Sequence, residues 1–149
     1  MIGGLAGSFA VLAGAAAVTP ALGAVPLLLA LALFLWTPSH FWCLAIAYHR
    51  DYAAAGVPML PVVVGDQRAA RVILANTVLL VAASLAPACF GMGGIYIAGA
   101  ALGGAYFLKR NIELVRQPDA ATAMRCFHAS LAQLTLLLTA AMIDAAIGA

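Results

Sequence analysis

His40 and Asp51 are the two side chains in this sequence best suited to chemistry. They belong to the stretch Leu35-Trp36-Thr37-Pro38-Ser39-His40-Phe41-Trp42, which runs on to Tyr48-His49-Arg50-Asp51-Tyr52 and Gly56-Val57-Pro58-Met59-Leu60-Pro61. A polar side chain deep in an apolar segment usually faces a cavity or a partner. A carboxylate is a hard oxygen ligand for a divalent cation, magnesium in particular when a substrate phosphate shares the ion. For Asp51 two readings stand side by side: a helix-flanking carboxylate in water, paired with Arg50 or Arg68, or a magnesium ligand. For His40 they are a neutral histidine bonded to another helix, or a residue facing a cavity.

If one helix runs through both residues, a turn of about 100° per residue puts His40, Ala47 and Asp51 within about 40° of one another. Trp36 then lies about 40° to the other side of His40. A rise of about 1.5 Å per residue sets His40 about 16 Å from Asp51 along the axis. Pro38 frees the carbonyl of Phe34 and kinks the helix, a defect that neighbouring helices can re-satisfy.

The elements that position these residues follow from composition. The chain has 149 residues, 66% hydrophobic and 8% charged, against about 45–50% and about 25% in soluble domains. A soluble fold of this size could not cover so much apolar surface, so the solvent is a bilayer. A net charge of +2 without a clustered basic face argues against a nucleic-acid partner. Cys43, Cys89 and Cys126 lack metal-ligand spacing and read as small packing residues. Met1-Ile2-Gly3-Gly4 lacks the basic start of a signal peptide.

Five stretches approach the roughly 17–25 apolar residues that a span needs. They are Ile2 to Val18 (closed by Thr19-Pro20), Leu22 to Tyr48, Ala70 to Phe90, Ile95 to Leu108, and Ala120 to Ile147. The fold class is therefore all-α: a polytopic transmembrane helix bundle of five spans in one domain, 1–149. Arg50, Arg68 and Arg71 fall in one connection, and Lys109, Arg110, Arg116 and Arg125 in or beside another. Five spans place both on one side, the cytoplasm by the positive-inside rule, with the C-terminus external. Between the second and third spans, Pro58 and Pro61 predict an extended or irregular Gly56–Gly65. Asp66 predicts an N-cap for the third span, and Pro118-Asp119 opens the last one similarly. Asn76 and Gln133 read as inter-helix hydrogen bonds, Tyr48 and Tyr52 as interfacial anchors, and Asp144 as interfacial.

The long stretch, with Ala55-Gly56-Val57-Pro58-Met59-Leu60-Pro61-Val62-Val63, resembles the second signature region of the protoheme IX farnesyltransferases, or heme O synthases. These belong to the UbiA superfamily of intramembrane prenyltransferases. The likeness extends over the chain, from Ile2-Gly3-Gly4-Leu5-Ala6-Gly7 to Cys126-Phe127-His128-Ala129-Ser130-Leu131. It implies the last five helices of a nine-helix fold around a lipid-open cavity, in the inner (plasma) membrane. It further implies magnesium, and farnesyl diphosphate and heme B as substrates joined to give heme O, with other heme A pathway proteins as possible partners. Asp51 corresponds to the acidic residue of the second motif, as catalytic group and metal ligand. Arg50, Arg68 and Tyr48 become diphosphate contacts; His40, Trp36 and Trp42 line the heme and prenyl cavity.

Two departures accompany the likeness: Ser39 stands where the family usually has a second proline, and the basic residues before Asp51 are arranged as His49-Arg50. No Asn-x-x-x-Asp-x-x-x-Asp pattern occurs, so the first acidic motif and the first four helices are missing. Met1 then marks a truncated or mis-started gene or a fragment, inactive alone. Alternatives are another UbiA-type polyprenyltransferase, acting on an aromatic acid or chlorophyll precursor, and a non-catalytic membrane subunit.

Overall fold

The structure, a computed structural model, describes residues 2–19 and 21–148. Met1, and the Pro20 expected to help close the first span, lie outside the described residues. Helices follow in the order α1 (Ile2–Val18), α2 (Ala24–Ala47), α3 (His49–Ala54), α4 (Leu60–Val64), α5 (Asp66–Leu85), α6 (Gly94–Arg116) and α7 (Ala120–Gly148), with a 3₁₀ turn at Ala86–Phe90 after α5. The described residues contain no strand.

Helix α2 packs against α1, α5 and α7, while α6 packs against α5 and α7. The result is a four-helix ring, α2–α5–α6–α7, with α1 laid against the outside of α2. Small side chains let the helices close on the interior: Cys43, Ala45, Ala69, Ala70, Ala123, Cys126 and Ala129 are fully buried beside Ile73, Leu80, Tyr96, Phe107 and Leu114. Many of the other large apolar residues are exposed, Leu79, Leu102 and Met142 among them, as a lipid-facing bundle requires. Three helices are long and apolar enough to cross a membrane: α2, α5 with its 3₁₀ extension, and α7. Leu5–Val18 is apolar but shorter, and α6 carries Lys109, Arg110, Glu113 and Arg116 in its last turns. By length and composition alone, three of the five expected spans thus qualify on their own among the described residues.

Several expected boundaries move for identifiable reasons. Helix α6 runs beyond Leu108, where two of its charged residues pair along the helix. Arg110 donates to Glu113 at 2.8 Å and lies 5.3 Å from the Tyr106 ring centroid, an i,i+3 pairing that stabilises a helix. The Gly56–Gly65 segment is irregular only to Met59, since Pro61 occupies the first turn of α4, where its missing N–H has no helical partner to lose. Asp66 is the first residue of α5 and not its cap; Gly65 takes that position without a side-chain bond. Its carboxylate instead meets His49 Nδ1 at 2.7 Å.

At the start of α7 the expected cap is present. Asp119 Oδ1 accepts from the Thr122 backbone N–H at 2.7 Å. That bond, followed by the Thr122 hydroxyl and the charge of Arg125, holds the Asp119 carboxyl below its ordinary 3.8. A lowered folded-state pKa stabilises the fold above the unfolded value, and the contribution disappears as pH falls through the folded value. Protection of the Ala120–Ala123 amides, corrected for the intrinsic pH dependence of exchange, is therefore expected to fall as the Asp119 carboxyl is protonated, and to show no such fall in Asp119→Asn.

Candidate functional site

The site grows from the defect at Pro38. Helix α2 continues through the proline, and polar groups gather around it. Thr37 Oγ1 donates to the Leu33 carbonyl at 2.9 Å. From α5, Asn76 Nδ2 donates to the Leu35 carbonyl at 2.6 Å and to Ser39 Oγ at 2.8 Å. Ser39 and Thr77 share a hydroxyl contact of 3.1 Å. Asn76 makes the inter-helix bond expected of it, and Ser39 supplies a hydroxyl that a proline could not.

One residue on, His40 faces α7. Its imidazole is stacked between Trp36 (centroids 4.2 Å apart, planes 18°) and Phe127 (4.3 Å, 26°), with Phe41 edge-on at 5.3 Å. His40 Nδ1 meets Ser130 Oγ at 2.7 Å. Ser130 Oγ also donates to the Phe127 carbonyl at 2.6 Å, and Trp36 Nε1 donates to the Ser130 carbonyl at 2.8 Å. Trp36, His40, Phe127 and Ser130 thus form one clamp joining α2 to α7. One turn toward the charged end, Cys43 and Cys126 are buried with their sulfurs 3.2 Å apart, packing as expected, whereas Cys89 is exposed.

The remaining candidates do not join this clamp. Trp42 is half-buried against the core. The helix expected to carry His40 and Asp51 on one face breaks at Tyr48, whose φ of −111° and ψ of 35° separate α2 from α3. The 16 Å axial spacing estimated for a straight helix therefore does not apply. The His49–Asp66 bond ties α3 to the start of α5, which accounts for the bend. Asp51, Arg50, Arg68 and Tyr48 are exposed. The two ion pairs among the described residues are His49–Asp66 and Arg110–Glu113, so Asp51 is paired with neither Arg50 nor Arg68. No three His, Cys, Asp or Glu side chains gather to hold a metal among the described residues.

Two expectations on α7 change. The Gln133 amide is buried with neither its nitrogen nor its oxygen bonded among the described residues. It lies against Gly103 of α6, which has no side chain to offer a partner. Asp144 is more than interfacial: its Oδ2 accepts from Gly93 N–H at 2.5 Å and its Oδ1 from Tyr96 N–H at 3.3 Å. It thereby caps α6 from across the bundle. A cavity of about 610 Å³ opens beside it, between Gly91–Ile95 and the end of α7, at the opposite end from Asp51.

Phe127 and Ser130 are the site residues not singled out from the sequence. Their i,i+3 spacing puts them on one helix face, but nothing in a single chain indicates which helix that face meets.

An all-helical integral membrane protein with an aromatic–histidine clamp between two helices, and its Lys and Arg residues toward one end, is the class these features define. The chain matches the UbiA prenyltransferase family over residues 1–138 and belongs to it. Protoheme IX farnesyltransferase 2 of Paramagnetospirillum magneticum is 59% identical over 144 residues, covering 97% of this chain and 50% of the relative. Protoheme IX farnesyltransferase 1 of Cenarchaeum symbiosum is 44% identical, covering 98% and 49%. A Roseiflexus protoheme IX farnesyltransferase is 45% identical, covering 97% and 27%. The chain spans about half the length of the first two. No solved structure matches it.

Proposed function

We propose that this chain, a single domain over 1–149, forms the C-terminal part of a heme-modifying prenyltransferase. The proposed reaction joins the farnesyl group of farnesyl diphosphate to a vinyl group of heme B, giving heme O. What carries the reading is an exposed, unpaired carboxylate, Asp51, next to Arg50 in sequence and at the basic end of a bundle whose relatives are named protoheme IX farnesyltransferases.

Asp51 fits a magnesium ion held by one carboxylate, with substrate phosphates and water completing the shell. Bound there, the ion would offset charge on the departing diphosphate. Arg50 and Arg68 are free to contact phosphate oxygens, with Tyr48 as a further hydrogen-bond donor. His40, Trp36 and Trp42 belong to the side that takes the heme and prenyl groups. We place five spans in the plasma membrane, with the basic connections cytoplasmic and the C-terminus external, and allow other heme A pathway proteins as partners.

One carboxylate is a poor substitute for two acidic clusters in stabilising the leaving group. The 149-residue chain alone is therefore expected to form no heme O. Reconstituted in lipid, it is expected to bind farnesyl diphosphate only with magnesium, and to lose that binding in Asp51→Asn. Binding indifferent to both would favour a non-catalytic membrane subunit.

A further inference from the structure

The donor and acceptor pattern at Ser130 has a consequence for His40. A serine hydroxyl has one proton and two lone pairs. The Phe127 carbonyl, 2.6 Å from Ser130 Oγ, can only accept, so the hydroxyl proton goes there. Turned toward His40 instead, it would leave two oxygen acceptors facing each other at that distance. Ser130 Oγ has only lone pairs left for His40 Nδ1 at 2.7 Å. The proton in that contact must come from the imidazole.

We infer that Ser130 is a positioning residue that locks neutral His40 in the Nδ1–H tautomer, leaving the Nε2 lone pair unengaged by the protein as a proton acceptor. Nε2 has no hydrogen bond among the described residues, yet it is not among the fully enclosed orphan atoms. The ring faces are covered by Trp36 and Phe127, so only the ring edge can meet a ligand. Trp36 is pinned independently, by the Ser130 backbone carbonyl, and that anchor survives loss of the hydroxyl. The clamp thus holds the ring in place by stacking and sets its proton through one side chain. The role of Nε2 toward a protic group of the substrate rests on the reading that His40 lines the substrate site; the tautomer does not.

The test is nitrogen-15 NMR of the histidine-labelled chain in lipid, with the His40 signals assigned by their loss in His40→Gln. Wild type is expected to show protonated Nδ1 and unprotonated Nε2 at neutral pH. Ser130→Ala is expected to shift the ratio toward Nε2–H about fivefold, the weight of one hydrogen bond, and Ser130→Thr to keep the wild-type state. A predominantly Nε2–H imidazole in wild type or in Ser130→Thr overturns the lock. So does an unmoved ratio in Ser130→Ala with Trp36 emission unchanged. Should Ser130→Ala not fold, the wild-type and threonine spectra decide alone. In a full-length enzyme carrying this segment, a shifted tautomer with unchanged heme O formation overturns the role of Nε2 toward substrate and leaves the lock standing.

Discussion

Replacing Asp51 by asparagine in a full-length prenyltransferase carrying this segment is expected to cut heme O formation by about 10²-fold or more, the scale on which removing one preorganised charge-stabilising group acts. The side chain is exposed and forms no ion pair, so the folded state should be indifferent to the change, within about 0.5 kcal/mol. This separates the functional reading from the structural one. A carboxylate kept for stability would be bonded to Arg50 or Arg68, and its loss would lower the melting temperature. A carboxylate kept for a cation has no partner until substrate arrives. Asparagine retains the shape and one oxygen but removes the charge that makes the group a good magnesium ligand. Asp51→Glu keeps the charge and should retain part of the activity, with a raised magnesium requirement. Product formation measured by chromatography of extracted hemes, alongside thermal unfolding, checks both halves of the expectation. Wild-type turnover in Asp51→Asn would remove Asp51 from the site.

Several local signals in the sequence held. Helix α1 ends where expected, Asp119 caps α7 as the Pro118-Asp119 pair suggests, and Pro38 marks the place where α2 collects polar neighbours. Other expectations failed for long-range causes. Tyr48 carries no proline or glycine signal; the bend there goes with His49 reaching Asp66, a contact between two elements. The charged end of α6 looks like a loop by hydropathy, yet Arg110, Glu113 and Tyr106 hold it helical. His40 was legible as a buried polar group on an apolar helix, but its partner was not. Ser130 lies ninety residues away, and one sequence gives no means of choosing it over any other serine. The resemblance to heme farnesyltransferases identified the motif around Asp51 without indicating that Phe127 closes the far side of the histidine.

Gly99 and Gly103 of α6 decide how close α7 can come. A Cβ on Gly99 would strike the Ala140 side chain and sit 3.0 Å from the Leu136 carbonyl, while one on Gly103 would meet Gln133 backbone at 3.2 Å. The pair Gly99-x-x-x-Gly103 is a small-residue seam of the kind that lets membrane helices approach closely. Because the obstruction includes backbone, rotamer changes cannot relieve it. Gly99→Leu is expected to cost about 1–3 kcal/mol, the usual penalty of overpacking, and to push α7 outward. Gly94→Ala is the control, since nothing lies within 4 Å of its Cβ. That change should be neutral or stabilising by up to about 1 kcal/mol, as a glycine in a compatible conformation allows. The functional effect follows from what α7 carries. Phe127 and Ser130 move with it, so the His40–Phe127 stack opens and the Trp36 Nε1 bond to the Ser130 carbonyl is strained, even though the substitution is on another helix. Tryptophan emission during thermal unfolding reads both effects: a lower midpoint and an altered native spectrum in Gly99→Leu, neither in Gly94→Ala. An unchanged midpoint in Gly99→Leu would mean that α6 and α7 do not meet at this seam, and the clamp between α2 and α7 would lose the support on its outer side.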